Sequence, residues 1–372
     1  MAENQKTQRD FVPGLDLAEA FFEEAVAPVL AEHLPDLAYS AALVGPGSEV
    51  LGFDDPMSTD HHWGPRLMLF LEPAVLQEKG PALRTLLGNT LPRSFRGYPT
   101  NWTQPDPNDG GVQHLEPSGD GRVNHRVELF TLRGFFDDYM GLDPVAPLSA
   151  ADWLTLPHQK LRSACAGRVF RDDLDLAAIR RFLSWYPHDV WLYVLASSWS
   201  RIGQEEHLMG RAGLVGDELG SAVIAARLVR EVMRLGFLME RTYPPYPKWF
   251  GTAFAHLACA SLLEPVLKQV LGAGSWRERE GALVPAYRHM AEMHNALGIT
   301  APLSTEPSSF WGRPFTVIHG ERFAESLRAA VRDPEVAAIA EKGLIGSIDV
   351  VSDNTDLLEH AGLRGAVRSL YE

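Results

Sequence analysis

The sequence predicts an α+β fold, in which a small mixed sheet in the N-terminal region is followed by an α-helical bundle. The evidence for the sheet is a set of short apolar runs bounded by turn formers: Leu37–Val44, Arg66–Leu71 and Asn124–Leu132. From about Ser149 onward the apolar residues recur at intervals of three and four, which is typical of helices. The 372 residues are long for one domain, so we expect three regions: 1–148 with the sheet, 149–300 with the bundle, and 301–372 with short strands and helices.

Local patterns predict the remaining N-terminal elements. Leu17 and Phe21 begin a helical apolar spacing, which predicts an amphipathic helix over 16–33 that Pro28 kinks or splits. Between the second and third strands lies 101–121, a segment rich in proline, glycine, asparagine and aspartate. Such a segment is typical of a surface loop or a hairpin.

The apolar pattern of the C-terminal part of the chain predicts mainly helices. The predicted helices lie near Ala150–Trp153, Leu176–Tyr186, Val190–Ile202, Gly216–Glu240, Trp249–Leu271 and Glu278–Leu297. A passage rich in proline, serine and glycine, 302–314, separates them from the last segment. In that segment 315–318 and 345–351 have the apolar character of short strands, and 322–331 has the pattern of a helix.

Composition excludes several classes of protein. The formal net charge of −14 argues against general nucleic-acid binding, which requires a basic surface to neutralise phosphates. Two cysteines exclude a disulfide scaffold and a cysteine-rich metal module. The polar N-terminus has no apolar core of a signal peptide, and no apolar run is long enough to span a bilayer. We therefore expect a cytoplasmic protein without membrane contact; its oligomeric state is left open.

The stretch after the first predicted strand carries the most chemistry. Gly47 and Ser48 follow that strand, and a glycine there lets a phosphate approach backbone N–H groups closely. Asp60 and His62 come just before the next strand. If 60–62 is extended, the alternation of a strand places Asp60 and His62 on one face and His61 on the other.

These residues resemble a known superfamily. The order strand, Gly-Ser, loop, Asp-x-(Asp/Glu), strand is similar to DNA polymerase β-type nucleotidyltransferases, including the kanamycin nucleotidyltransferase-like and minimal nucleotidyltransferase branches. The segments GSEVLGFDDPMSTDH, GRAGLVGDELGS and LMERTYPPYPKWFGTAF further resemble a bacterial family of uncharacterised nucleotidyltransferase-like proteins. The resemblance implies that Gly47 and Ser48 bind the triphosphate of an NTP, and that Asp60, the residue at position 62 and a third carboxylate hold Mg²⁺. The third carboxylate falls on Glu128, in the strand 124–132.

One departure from the pattern matters for this reading. The sequence has His62 where the resemblance expects a carboxylate, and imidazole suits Zn²⁺, Ni²⁺ or iron better than Mg²⁺, although it tolerates Mn²⁺. Two-metal transfer relies on bridging carboxylates to hold both ions. The site is therefore an Mg²⁺ or Mn²⁺ site made by Asp60, His62 and Glu128, or an altered and inactive one. Asp54 and Asp55 are interpreted as turn formers before Pro56.

A second set of candidate residues lies in the predicted bundle. Asp217 and Glu218 stand at a helix start, where acidic side chains cap and favour the helix dipole. The resemblance to kanamycin-type enzymes offers another role, with Asp217 as the base that takes a proton from the acceptor and Arg211 and Glu218 as acceptor contacts. In the proline-rich loop 241–249, Lys248 is a candidate phosphate ligand and Tyr246 a candidate stacking platform.

Three functional hypotheses follow, in addition to one with little support. The first is a nucleotidyltransferase that moves a nucleoside monophosphate from an NTP to a small-molecule or macromolecular acceptor. The second is an inactive relative that binds a nucleotide or a partner. The third is other metal chemistry at Asp60, His61, His62 and Glu128. The spacing of Arg201 and His207 also matches helical ribonuclease domains that accompany minimal nucleotidyltransferases, but two such residues often occur by chance.

Overall fold

The computed structural model describes residues 11–119 and 121–372, and divides the chain into two compact units. The first unit consists of residues up to Ala146 together with Ser163–Ser184, and the second consists of Pro147–Arg162 and Trp185–Glu372. The first unit contains a four-stranded sheet, whereas the second is dominated by helices. The predicted α+β class is confirmed.

The sheet of the first unit mixes parallel and antiparallel pairs. Its strands, numbered in chain order, are β1 (Ser40–Leu43), β2 (Arg66–Phe70), β3 (Arg126–Phe130) and β4 (Arg168–Asp172). They lie in the order β3-β2-β1-β4, so β3 is an edge strand. β1 is antiparallel to β2 and to β4, and β2 is parallel to β3 with Met68 opposite Glu128. The carboxyl end of β1 therefore lies at the end of the sheet where β2 and β3 begin.

The first three strands were predicted from sequence, but β4 was not. Val44, Leu69 and Leu129, one from each predicted run, are all buried. β4 lies beyond Ser149, in a region where the spacing of apolar residues predicts helices. It forms a strand because its backbone pairs with β1. The predicted helix near Leu176–Tyr186 is present as Leu176–Leu183 and belongs to the first unit.

Helices and short hairpins complete the first unit. A helical segment runs through Gly14–Phe21, a π-helical turn Phe22–Val26 and Ala27–His33, and the turn precedes Pro28, which has no N–H for an ordinary helix bond. Two helices were not predicted, Pro73–Thr90 and Leu132–Met140. The former contains Pro81 in its interior, a residue that normally ends or kinks a helix. Two-residue strands pair as Ser94–Phe95 with Tyr98–Pro99 and as Asn101–Trp102 with Leu115–Glu116, which makes 101–121 a hairpin-containing loop in its described part.

The second unit consists mainly of helices, both long and short. They are Ala150–Thr155, His158–Cys165 (whose last turn falls in the first unit), His188–Leu214, Glu218–Met239, Phe250–Phe254, Ala260–Gly272, Trp276–Ala296, Gly320–Ala330 and Pro334–Lys342. The predicted helix Trp249–Leu271 is divided in two. Its second part begins where the Glu240 carboxylate accepts hydrogen bonds from the backbone N–H groups of Ala258 and Cys259, both at 2.8 Å.

The C-terminal segment corrects one prediction. The strand expected at 315–318 is present as Thr316–Val317, paired with Ser308–Ser309, and the predicted helix 322–331 is present as Gly320–Ala330. The strand expected at 345–351 is wrong, because Ile348–Val351 forms a helical turn after Ser347. The short helices Thr355–Glu359 and Arg364–Arg368 follow. In the described part of the chain no strand pairs with 345–351, and within this run Ile348 is buried whereas Ile345 and Val351 are exposed.

Candidate functional site

Gly47 lies against a buried ion pair. It has φ +140°, and a Cβ at this position would lie 2.6 Å from both Arg66 Nη2 and Glu49 Oε2. Arg66 Nη2 and Glu49 Oε1 are 2.5 Å apart, and both side chains are 4% exposed. Arg66 also donates to the Pro46 carbonyl over 2.8 Å. The glycine is thus required here by the internal Arg66–Glu49 pair, whether or not a phosphate also approaches it.

Ser48 begins the turn that the sequence predicted after β1. Its carbonyl accepts hydrogen bonds from the N–H of Leu51 at 3.2 Å and of Phe53 at 2.9 Å. In the part of the chain that the structure describes, no acceptor is recorded for the N–H groups of Gly47 and Ser48 themselves. These two donors have the chemistry that binds anions.

Asp60 is not extended, and this corrects the predicted geometry of 60–62. It ends the 3₁₀ turn Pro56–Asp60, which Asp55 starts by accepting from the N–H of Met57 and Ser58. Asp60 is 61% exposed, and its Oδ1 lies 2.8 Å from Nδ1 of His61. The alternation that would place it beside His62 is therefore absent.

His62 lies in the left-handed region, with φ +50°. Its backbone N–H donates to the Gln113 carbonyl over 3.0 Å, which holds the residue beside the hairpin. Burial and the nearby Arg126 charge lower the pKa of His62, so the imidazole is neutral near pH 7. Its Nδ1 accepts a hydrogen bond from Arg126 Nη1 over 2.9 Å.

Arg126 also faces Glu128. The two residues are two apart on β3 and point to the same side of the sheet, and Arg126 Nη2 lies 3.5 Å from Glu128 Oε1. The guanidinium carbon lies 5.0 Å from the centre of the Trp102 ring. Burial lowers the pKa of Arg126, but a guanidinium remains charged at any physiological pH. A permanent cation therefore lies between His62 and Glu128.

The residues present do not fit the Mg²⁺ that the resemblance implies. Over 11–119 and 121–372, no three His, Cys, Asp or Glu side chains group to hold a metal ion. Asp60 pairs with His61, while Glu128 and His62 both face the Arg126 cation. A divalent cation would be repelled by that guanidinium. The alternative site of two histidines and a carboxylate is not assembled either, because His61 and His62 have these separate partners.

A cleft of about 480 Å³ runs along the free edge of β3. It is lined by Arg84, Arg122, Val123, Asn124, His125, Val127, Glu128, Leu129 and Phe130. Glu128 lines this cleft and also contacts Arg126, so it joins the cleft to the pair of Arg126 and His62. Burial lowers the pKa of His125, whose Nε2 lies 3.2 Å from the Arg84 carbonyl.

Asp217 and Glu218, in the second unit, have structural partners. Asp217 caps the helix Glu218–Met239, with its Oδ1 accepting from the N–H of Gly220 over 2.8 Å. Glu218 Oε2 accepts from Arg279 Nη1 over 2.6 Å, and Arg279 is 7% exposed. Arg211 is exposed at the end of the preceding helix. The capping interpretation accounts for the contacts of Asp217, and the predicted acceptor roles stay predictions.

The two candidate ligand residues of the proline-rich loop, Lys248 and Tyr246, have different surroundings. Lys248 is exposed, and its ammonium lies 4.8 Å from the centre of the Trp249 ring. Tyr246 is 40% exposed and lines a cleft of the second unit, together with Phe250. The structure places Tyr246 beside this cleft.

Arg201 and His207, the two residues of the ribonuclease-like spacing, each have a structural partner. His207 stacks on Phe310 with ring centres 4.1 Å apart, and Arg201 pairs with Glu205 at 3.2 Å. These contacts are those of packing and of a helix surface pair.

The sequence analysis did not identify Arg126 of the first unit, or Arg230 and Arg234 of the second, as candidate site residues. Arg126 stands two residues before Glu128 in a predicted strand, so the alternation could have placed them on one face. Arg230 and Arg234 stand four apart in a predicted helix, which places them on one helix face.

Comparison with known proteins gives limited information. A family described as "Domain of unknown function (DUF4037)" matches residues 153–250. No curated protein is detectably similar to the chain. A nucleotidyltransferase-like protein from Exiguobacterium sibiricum 255-15 shares 12% identity, with 74% of this chain and 77% of that chain covered, at a TM-score of 0.32. At that score neither fold nor function is inferred from it.

The fold and the site together define a class of protein. It is an α+β protein with a mixed sheet. At the end of the sheet where β2 and β3 begin lies a polar cluster of Arg126, His62 and Glu128. No helix in the described part of the chain has the length and apolar character needed to cross a membrane.

Proposed function

We propose that the first unit binds a nucleotide through Arg126 and the Gly47–Ser48 turn, without the metal pair of nucleotidyl transfer. The observation that carries the proposal is the position of Arg126, between the two side chains that the resemblance assigns to the metal. A guanidinium offers fixed donors that match phosphate oxygens. It supplies positive charge in place of a divalent ion.

The surroundings of Arg126 support this proposal. Arg126 is opposite Arg66 in the parallel pairing of β3 with β2, and Arg66 contacts Gly47. Arg126 Nε is buried and has no hydrogen-bond partner among the described residues. The contact to Glu128 at 3.5 Å is long, and Glu128 is 34% exposed, so this carboxylate can turn away when an anion arrives.

The competing hypothesis is metal-assisted transfer of a nucleoside monophosphate. It assigns Mg²⁺ or Mn²⁺ to Asp60, His62 and Glu128, phosphate contacts to Gly47, Ser48 and Lys248, proton removal to Asp217, and acceptor contacts to Arg211, Glu218 and Tyr246. It requires Arg126 to leave the space between His62 and Glu128, and no described contact favours that movement. The inactive, ligand-binding alternative requires no rearrangement of the arginine.

Calorimetric titration of the full chain with ATP, GTP, CTP and UTP tests the proposal. Each titration is run once with EDTA and once with Mg²⁺ or Mn²⁺. We expect at least one nucleotide to bind with similar affinity in both conditions. Arg126→Gln should weaken that binding by ~10-fold or more, because charge-assisted hydrogen bonds are lost.

The matched control is Arg133→Gln, at an arginine of the same unit that is 74% exposed and pairs with Asp143. It should bind as the wild type does. Transfer of radioactive label from an [α-³²P]NTP to any acceptor in the presence of Mg²⁺, abolished by Glu128→Gln, would replace the proposal with metal-assisted transfer. Absence of binding to all four nucleotides would exclude both.

A further inference from the structure

The second unit contains a cleft of its own, with a volume of about 450 Å³. Volumes in this range are typical of sites for small molecules. Its charged and aromatic lining residues are His158, Arg230, Arg234, Tyr246, Phe250, Asp349 and Asp353. No function predicted from the sequence uses this cleft as a whole.

Two arginines form its cationic side. Arg230 and Arg234 lie one turn apart on the helix Glu218–Met239, and their side chains are 39% and 14% exposed. Arg234 donates from Nη1 to Glu231 over 3.1 Å, and Arg230 donates from Nη1 to Asp353 over 2.8 Å. These are the side-chain hydrogen bonds recorded for the two arginines within the described ranges, so most of their ten N–H donors remain for a ligand.

The acidic residues of the cleft are less available to a ligand. Asp349 accepts from the backbone N–H of His158 with both carboxylate oxygens, at 3.2 and 3.0 Å. Its Oδ2 also lies 3.6 Å from Nδ1 of His158. Asp353 is 67% exposed, so its pair with Arg230 contributes little to stability and an anion can displace it.

His158 supports Asp349 without adding charge to the cleft. It is buried, and its Nε2 lies 2.8 Å from the Tyr186 hydroxyl. Burial lowers the pKa of His158, so the imidazole is neutral near pH 7. The positive charge of the cleft therefore comes from the two arginines.

Two aromatic side chains also line the cleft, Tyr246 and Phe250. Tyr246 is 40% exposed and lies between Pro245 and Pro247, which stiffen the loop, and Phe250 is half-buried at the start of the helix Phe250–Phe254. An exposed aromatic ring held on a stiff loop can stack on a planar group at a small entropic cost.

We propose that this cleft binds a small organic oxyanion carried on a planar ring, an aryl phosphate or aryl carboxylate. Arg234 and Arg230 bind the oxyanion, and Tyr246 and Phe250 contact the ring. Asp349 and His158 position the cleft wall. The proposal concerns a site separate from Arg126 and does not depend on nucleotide binding in the first unit.

Ligand-observed NMR and calorimetry on the full chain test the proposal, with four probes. Phenyl phosphate and benzoate carry a ring and an oxyanion, inorganic phosphate lacks the ring, and benzylamine carries a ring and a cation. All titrations use the Arg126→Gln background, so that binding at the first unit does not contribute. We expect phenyl phosphate or benzoate to bind with a millimolar Kd and to exceed both other probes.

Variants then locate the binding. Arg230→Gln should weaken it by ~10-fold, since a charge-assisted contact is lost, and Tyr246→Ala should weaken it by ~3–10-fold. Both residues are partly exposed, which keeps the folded state intact where Arg234→Gln would leave the buried Glu231 unpaired. The control Arg288→Gln removes an exposed arginine paired with Glu306 and should change nothing.

Each contrary result overturns the proposal in a specific way. Preferred binding of benzylamine would make the cleft a cation site. Equal binding of inorganic phosphate and phenyl phosphate would remove the ring from the ligand. Full binding in both Arg230→Gln and Tyr246→Ala would place the ligand elsewhere, and no binding of phenyl phosphate or benzoate would exclude this ligand class.

Discussion

Arg126 donates a hydrogen bond from Nη1 to Nδ1 of His62 over 2.9 Å. The acceptor nitrogen must be unprotonated, in agreement with the lowered pKa of His62. The guanidinium cannot lose its proton in any ordinary condition. This pair therefore keeps a fixed positive charge at the end of the sheet where β2 and β3 begin. The resemblance expects a metal between carboxylates at that place.

The first prediction concerns the substitution that restores the expected carboxylate. His62→Asp alone should not gain affinity for Mg²⁺, because the new carboxylate pairs with Arg126. The double variant His62→Asp with Arg126→Gln should bind Mg²⁺ at least ~10-fold more tightly than the single variant, because the Arg126 guanidinium no longer competes for the new carboxylate. Calorimetric titration of both variants with Mg²⁺ measures this difference, and thermal unfolding confirms that both fold.

A single His62→Asp variant that already binds Mg²⁺ tightly would contradict this expectation. That result would mean that Arg126 moves aside readily, and it would favour metal-assisted transfer.

The second prediction separates the packing role of Gly47 from general turn strain. Gly47→Ala should lower the free energy of unfolding by about 2–4 kcal/mol, because its Cβ would collide with the buried Arg66–Glu49 pair and φ is positive. Gly52→Ala is the matched control, with φ +70° and nothing within 4 Å of the added Cβ. It should cost only about 1 kcal/mol.

Urea titration of the two alanine variants measures these costs. Equal destabilisation by both would show that the ion pair shifts at no cost, and would leave backbone strain as the reason for glycine at position 47.

The third prediction tests Asp217 as a cap. Asp217→Asn should leave stability nearly unchanged, whereas Asp217→Ala should lower it by about 1 kcal/mol, because alanine cannot accept the hydrogen bond from Gly220. Thermal or urea unfolding of both variants measures the difference. A large loss of ligand binding or of transfer in a fully stable Asp217→Asn variant would instead assign Asp217 to the reaction.

The fourth prediction concerns acid sensitivity. His294 is fully buried between Trp199 and Phe323, and burial lowers its pKa to about 4. The unfolded chain takes up this proton near pH 6.5, so the contribution to stability is complete above that pH and is lost as the pH falls toward 4. From pH 8 to pH 5 the loss is about 2 kcal/mol.

Urea unfolding of the wild type and His294→Gln at pH 8 and pH 5 isolates this term. The glutamine variant should lose about 2 kcal/mol less over that interval. His188→Gln, which replaces an exposed histidine by the same residue, is the control for the substitution itself. An identical pH dependence in His294→Gln would show that this imidazole is protonated in the folded protein.

Much of the secondary structure was predictable because it depends on local pattern. The helices Glu218–Met239 and Trp276–Ala296 follow from apolar spacing with a capping residue before them, Asp217 and Ser275. β4 and the helical turn Ile348–Val351 were not predictable in this way. A strand needs a partner, and short apolar runs read alike until the partner is known.

The candidate site divides in the same manner. Local order along the chain placed Gly47 after β1, Asp60 and His62 before β2, and Glu128 within β3, and the strand assignments around them are correct. The sequence alone also determined the α+β class and the turn formed by Asp55 and Pro56. These features depend on side chains within a few residues of one another.

Only the tertiary structure decided which side chains meet. It brought Arg126 to His62, 64 positions away, and Asp349 to His158, 191 positions away. Such contacts depend on strand pairing and helix packing, which set the direction of each side chain and have no local signature. His62, which the resemblance assigns to a metal, is instead the hydrogen-bond partner of Arg126.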